Sequence, residues 1–231
     1  ISDIVIKESD CNSDTPVDPQ PTELTDLGAD ANGMHKLAGP WDAEAFAAID
    51  ATAQANSYDL TDVTHEGTID MVGKTANPYC LFVTATPGTV NRNELVAEGE
   101  GYHGYAIFLQ ETRDNTLPYD INTALQPITV DNPFFERLFY AAPNYVTMTV
   151  PFDYDEIPNS ADGTKFYEML ASSDGTTITF NEISSIEKNK PYLVYDAVGG
   201  ITINGKGTQV INFQTASTSG TGIQFVGNYG R

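Results

Sequence analysis

The chain has 231 residues, 40% of them hydrophobic and 10% aromatic, which is enough apolar material for one large or two modest cores and excludes general disorder. Lys plus Arg number 11 against 32 Asp plus Glu, a formal charge of −21. A surface of that sign repels phosphate backbones and anionic lipid, so nucleic acid is excluded as an expected partner and neutral or cationic partners remain.

Residues 1–23 open with apolar alternation over Ile4 and Ile6, the pattern of a short strand, and run into "ESDCNSDTPVDPQPTE". That stretch is acidic, carries three prolines, and reads as a linker or surface loop. The start at Ile1, without Met or a basic-then-apolar leader, predicts a processed form or an excised piece of a longer chain. Nowhere does a run approach the roughly 18 apolar residues of a membrane-spanning helix, so no direct membrane insertion is expected. Two cysteines, Cys11 and Cys80, make no disulfide framework. Whether they pair stays open, because a bridge needs a Cα spacing that sequence does not give. Asn32-Gly33 is a tight-turn pair.

The one convincing helix follows, over residues 42–55. Asp42 is a good N-cap, and Glu44 suits the positive end of the helix dipole. Trp41 and Phe46 stand at the two positions of a hydrophobic staple, and Phe46, Ile49 and Ala53 share one face. "YDLTDVT", "TIDMV" and "CLFVT" then read as strands, and Cys80 is expected to be buried. A helix followed closely by a strand is the unit of a solenoid repeat. A lone unit cannot bury its own face, so this one is expected to cap or adjoin a β domain.

From Gly101 onward, short apolar runs recur every 8–14 residues or so: "YAIFLQ", "ITV", "RLFY", "NYVTMTVPF", "KFYEML", "TTITFNEI", "KPYLVYDA", "GGITING", "TQVINFQ" and "GIQFVG". Asp162-Gly163, Asp174-Gly175 and Asn204-Gly205 punctuate them. This spacing predicts an antiparallel sandwich or barrel, with "YEMLASSDGTTITF" and "ITINGKGTQVINF" as its clearest hairpins. Pro151 and Pro191 fall at strand ends, where a missing N–H is tolerated.

Several of these segments resemble those of secreted and surface proteins of Bacteroides and related gut bacteria. "LAGPWDAEAF…LTDVT" resembles the unit that closes a leucine-rich-repeat-like region in that family, and "ANPYCLFV" (76–83) resembles the segment just after it. "ERLFYAAPNYVTMTVPFDYDEIP" and "GTKFYEML…TITFNEISSIEKNKPYLV" are similar to its following strands. The similarity covers roughly residues 34–198. It departs at Asn144-Tyr145-Val146-Thr147, where the family usually has Trp-Gly-Thr, and at Lys188. The family's strands usually continue beyond the equivalent of Arg231, so a shortened chain is expected. The resemblance implies an exported protein of the cell surface whose modules are built for contact, with no catalytic residues to carry over.

Local chemistry is sparse. His65-Glu66 begins like a helical zinc-protease motif, but Ile69 stands where the second His belongs and Gly67 opposes a helix. His35, His65 and His103 match no zinc spacing. Asp153, Asp155 and Glu156 offer oxygen ligands of the kind calcium takes, yet Ile157 breaks the EF-hand pattern and a solvated acidic loop is the plainer reading. "DCNSDTPVDP" is similar and weaker. "SGTGIQFVG" reads as strand and turn rather than a phosphate loop, and no nucleophile elbow or P-loop is present. With 32 acids, carboxylate pairs arise by chance, so no glycosidase pair can be singled out. Tyr102, Tyr105, Tyr140 and Tyr145 are candidates for a sugar-stacking platform, against the plainer reading that aromatic side chains fill the core.

The expectation is therefore a mainly β protein. Residues 1–23 form a strand and acidic linker, 24–100 a small α/β leucine-rich-repeat-like unit with one helix, and 101–231 an antiparallel β-sandwich. No catalytic, cofactor-binding or metal-ligating residue is assigned and no cofactor is expected. The expected activity is non-catalytic binding of an extracellular protein or glycan. The alternatives are a carbohydrate-binding accessory module and an enzyme without a recognisable motif. Oligomeric state is left open.

Overall fold

The computed structural model describes residues 20–111, 124–125, 127–138, 142–172, 176–211 and 217–226. The expected strand at Ile4 and Ile6, Cys11, Tyr140 and the Asp174-Gly175 turn lie outside the described residues. The protein is mainly β. Its first strands are β1 (Thr25–Ala29) and β2 (His35–Pro40), an antiparallel pair joined through Gly33 at φ 79°. Asn32-Gly33 is thus a turn, as its chemistry requires.

Helix α1 (Ala43–Ala53) comes next, within the expected 42–55. The Asp42 carboxylate accepts from the Ala45 N–H at 2.7 Å, and the Trp41 and Phe46 rings lie 5.1 Å apart as a staple. Gln54 in the left-handed region ends the helix, its N–H donating to the Asp50 carbonyl. Phe46 is fully buried and Ile49 packs against the same core. The helix is no appendage: it is the crossover between β2 and β3 (Ser57–Thr64), which pair in parallel. Parallel neighbours need such a connection, and a helix supplies it while covering one face of the sheet.

β4 (Leu81–Thr84) and β5 (Glu94–Glu98) extend this parallel order through irregular loops. "TIDMV" is not a strand. Ile69 makes a single bridge to Val90, and Asp70 accepts from the Val72 N–H and the Asn91 amide, so the segment is a loop that buries Ile69 and Met71 without a ladder.

The sheet continues through β6 (Gly101–Glu111) to β7 (Ile128–Leu138). The expected division at 100/101 coincides with the β5–β6 turn, and hydrogen bonding runs across it, with Glu98 opposite Gly101. An all-antiparallel arrangement from 101 onward fails at β6 and β7, which pair in parallel from Tyr102↔Ile128 to Glu111↔Arg137. "ITV" and the first two residues of "RLFY" are not two strands but parts of one, β7, of 11 residues.

The other main strands are β8 (Asn144–Thr149), β9 (Lys165–Met169), β10 (Phe180–Ile183), β11 (Pro191–Asp196), β12 (Gly200–Asn204) and β13 (Gln209–Ile211). β12 and β13 do not form the expected hairpin. Both pair antiparallel with β7, β12 along 134–138 and β13 along 128–130. Pro133 sits between the two registers and has no N–H to give a ladder, so the ladder breaks there. Gly205 crosses at that point and donates its N–H to the Pro133 carbonyl at 2.8 Å. The result is a nine-stranded mixed sheet in the order β1-β2-β3-β4-β5-β6-β7-β12, with β13 also on β7.

A second, four-stranded antiparallel sheet has the order β10-β9-β11-β8. It takes in the first three residues of "TMTVPF", the last four of "TITFNEI" and most of "PYLVYDA", so these expected strands form, the first two shorter than expected. A small hairpin of β14 (Ser217–Gly220) and β15 (Ile223–Val226) follows, where "SGTGIQFV" forms strand, turn and strand. The large sheet carries a core on each face. On the helix side lie Leu37, Phe46, Tyr58, Leu60 and Phe82. On the other, Leu81, Val83, Leu95, Ile107 and Val130 meet Met148, Phe166, Tyr192 and Val194 of the four-stranded sheet. Strand alternation sends Leu81 and Val83 one way and Phe82 the other, which is why all of β4 is buried. Cys80 is a free thiol in this interior, and burial pushes its pKa well up. None of the described helices is long and apolar enough to cross a membrane.

Candidate functional site

The residues singled out from sequence do not converge. His65 is exposed, its Nδ1 2.7 Å from the Gly67 carbonyl. Nδ1 of His35 meets Asp26 at 2.8 Å beside the turn of the β1–β2 hairpin. Among the described residues no group of three or more His, Cys, Asp or Glu side chains is placed to hold a metal ion. The acidic loop at 153–156 is engaged in its own fold. The Asp153 carboxylate accepts from the Lys188 N–H, and Glu156 accepts from the Tyr154 hydroxyl and the Lys206 ammonium. The Lys206 ammonium, with help from that hydroxyl, holds the Glu156 pKa below its usual value.

His103 on β6 lies between two carboxylates, with Nε2 3.2 Å from Asp131 and Nδ1 3.8 Å from Glu98. The contact with His103, with a further bond from the Thr208 hydroxyl, depresses the Asp131 pKa. These groups rim a cavity of about 330 Å³ walled by Pro87, Val96, Ala97 and Tyr105. Glu94 also borders it, but that carboxylate is spent on the 84–90 loop, accepting from the Gly88 and Val90 N–H groups and the Thr84 hydroxyl. Tyr105 is 75% exposed at its edge, whereas Tyr102 is half-buried and packs on the core.

Tyr145 leads to a second surface. It is 58% exposed on β8, on the side of the four-stranded sheet that faces away from the core. Register places Tyr195 opposite Tyr145, and Lys165 beyond it. The neighbouring outward row reads Thr147, Leu193, Tyr167, Glu182. The rings of Tyr145 and Tyr195 are 5.1 Å apart and tilted by 54°. Lys165 reaches diagonally to Glu182 at 2.9 Å, and this bond raises the lysine's pKa. Partial burial raises the Tyr167 pKa, and Lys165, Glu182, Tyr145 and Tyr195 all lie close enough to act on it electrostatically. Alternation explains why these side chains point out: Phe166, Val194 and Met148, each one position away from an outward residue, fill the core. Farther along the same side, Phe225 of the β14–β15 hairpin meets Phe180 edge-on at 6.0 Å and covers that end. Three tyrosines and Leu193 thus form an aromatic patch flanked by one ion pair.

Sequence reasoning found Tyr145 but missed Tyr167 and Tyr195. Parity was the available signal: once Phe166 and Val194 are set inward, Tyr167 and Tyr195 must face outward. Comparison with known proteins yields no matching family model, no similar curated protein and no similar solved structure.

Proposed function

We propose that this chain is a non-catalytic binding module exported to a bacterial surface, and that the Tyr145–Tyr167–Tyr195 face contacts an extracellular protein or glycan. The observation that carries it is the clustering of three tyrosines in two neighbouring rows on the solvent side of a sheet, flanked by a charge-compensated pair. Tyrosine offers a rigid ring and a polar tip at low entropic cost, and it is enriched where proteins bind other molecules. The parallel strands β2 to β5 in chain order, with one helical crossover, support a leucine-rich-repeat-like reading of 24–100. The core shared by two sheets supports a sandwich-like reading of the later part. Export to the surface rests on the resemblance described above. The same tyrosine face favours, as a second reading, a carbohydrate-binding accessory module of a glycan-degrading system.

The test is a defined array of glycans and extracellular-matrix proteins, probed with the wild-type chain and with Tyr145→Ala/Tyr195→Ala. The reading predicts at least one ligand whose binding the double substitution abolishes. Heparin and DNA should not bind at low salt, where repulsion from the −21 charge is least screened. The proposal fails if every ligand survives the double substitution. It fails equally if the purified chain turns over a glycan, peptide or ester and His103→Ala abolishes that turnover.

A further inference from the structure

We infer that the tyrosine face holds a neutral glycan of pyranose rings with equatorial hydroxyls, stacked on Tyr145 and Tyr195 and hydrogen-bonded by Lys165 and Glu182. This rests on the reading of that face as the contact surface and adds the chemical class of its ligand.

Size is the first ground. From β8 to β10 the patch spans four strands, roughly 14 Å at about 4.8 Å per strand, and its two outward rows lie about 7 Å apart. That footprint is on the order of 100 Å², whereas a stable protein–protein interface takes about 800 Å² from each partner. The patch is too small to hold a protein by itself and large enough for a few sugar rings.

Shape and polarity are the second ground. When a pyranose carries its hydroxyls equatorially, its C–H bonds are axial. Both ring faces are then apolar and the hydroxyls lie around the edge. The patch has the complementary layout, with aromatic rings and Leu193 inside and Lys165, Glu182 and Thr147 at the sides. The Lys165 ammonium and the Glu182 carboxylate each retain hydrogen-bonding capacity beyond the bond they share. An axial hydroxyl would be pressed against a ring and lose its water without gaining a partner.

Charge is the third ground. Lys165 and Glu182 compensate each other at 2.9 Å, so the patch offers no net charge to an ionic ligand. The field of the whole chain works against sulfated or uronic-acid chains.

The test is isothermal titration calorimetry of the full chain with three sets of hexasaccharides. These are neutral β-linked glucose or xylose, neutral β-linked galactose with its axial hydroxyl, and a polyuronate. The glucose or xylose chains should bind, the galactose chain at least fivefold more weakly, and the polyuronate not at all. Tyr145→Ala and Tyr195→Ala should each weaken binding at least tenfold, while Tyr145→Phe, which keeps the ring, should stay within threefold. Unchanged melting temperatures would show that the variants fold, and Tyr145 is exposed enough for that to be expected. Absence of binding by every neutral chain at millimolar concentration overturns the inference, as does binding indifferent to Tyr145→Ala. If a protein ligand then depends on Tyr145 and Tyr195, only the glycan assignment falls. If no ligand depends on them, the contact surface falls with it.

Discussion

Tyr58→Phe removes one oxygen atom from the interior and tests how the helix is tied to the sheet. Tyr58 is 0% exposed, with its ring between Phe46 (5.1 Å, edge-on) and Phe82 (6.2 Å, stacked). Its hydroxyl donates to Oδ1 of Asp50 at 2.7 Å, and Oδ2 of that carboxylate accepts from the Ala76 N–H at 2.8 Å. Asp50 is 4% exposed, so helix, strand and loop meet at one buried carboxylate. The ring packing survives the substitution, but one carboxylate oxygen loses its donor. A hydrogen bond to a charged group contributes about 1.5–3 kcal/mol, so a loss of about 2 kcal/mol is expected. In a chain of this size that lowers Tm by about 4–8 °C. Urea unfolding at pH 7, followed by circular dichroism, should show a lower midpoint with an unchanged slope. A second signature lies in alkali. Burial, reinforced by Asp50, raises the Tyr58 pKa far above its usual value of 10.0, so the unfolded phenol ionises first. The wild type therefore loses stability as pH rises above about 10, and Tyr58→Phe should lose less. A change within 0.5 kcal/mol at pH 7, about what surface substitutions give, would refute the reasoning.

Phe46→Ala should cost about 3–5 kcal/mol in the same urea assay, because a fully buried ring is lost from the helix side of the sheet. Gly205→Ala should cost about 1–3 kcal/mol, since its Cβ would strike the Pro133 ring and carbonyl where β7 hands over from β13 to β12. Asp131 has a folded-state pKa depressed through His103 and Thr208, so its stabilising contribution is complete above the ordinary value of 3.8 and is lost as pH falls through the folded one. Acid titration of wild type beside Asp131→Asn should therefore show the stability difference between them shrinking below about pH 4.

The helix was legible because its signals are local: the Asp42 cap, the Trp41–Phe46 staple and the apolar face fall within a dozen residues. Strand existence was mostly legible for the same reason. Strand partnership was not, because it depends on segments far apart in the chain. Nothing near Tyr102 announces that it lies beside Ile128 in parallel. β12 and β13 read as a hairpin because Asn204-Gly205 carries turn chemistry, yet an 11-residue β7 offered both strands a better partner and Pro133 set the division between them. "TIDMV" misled in the opposite way, since the spacing of Ile69 and Met71 records burial rather than a ladder. β1 escaped notice, its "TDLGA" being short and interrupted by Gly28 at φ 97°. The tyrosine face was half-legible. Outward direction follows from parity, but bringing Tyr145, Tyr195 and Lys165 into one row requires the register of three strands.

The most direct test of the central claim, that the outer tyrosine face is the contact surface, is fluorine NMR of the chain labelled with 3-fluorotyrosine. Signals are assigned by single Tyr→Phe substitutions and followed during titration with a neutral β-linked hexasaccharide. Of the 12 tyrosines, those at 145, 167 and 195 should shift together and saturate at one concentration, while buried Tyr58 and Tyr192 stay fixed. Shifts confined to Tyr105, at the edge of the His103 cavity, or saturation without movement of Tyr145 and Tyr195, would contradict the account.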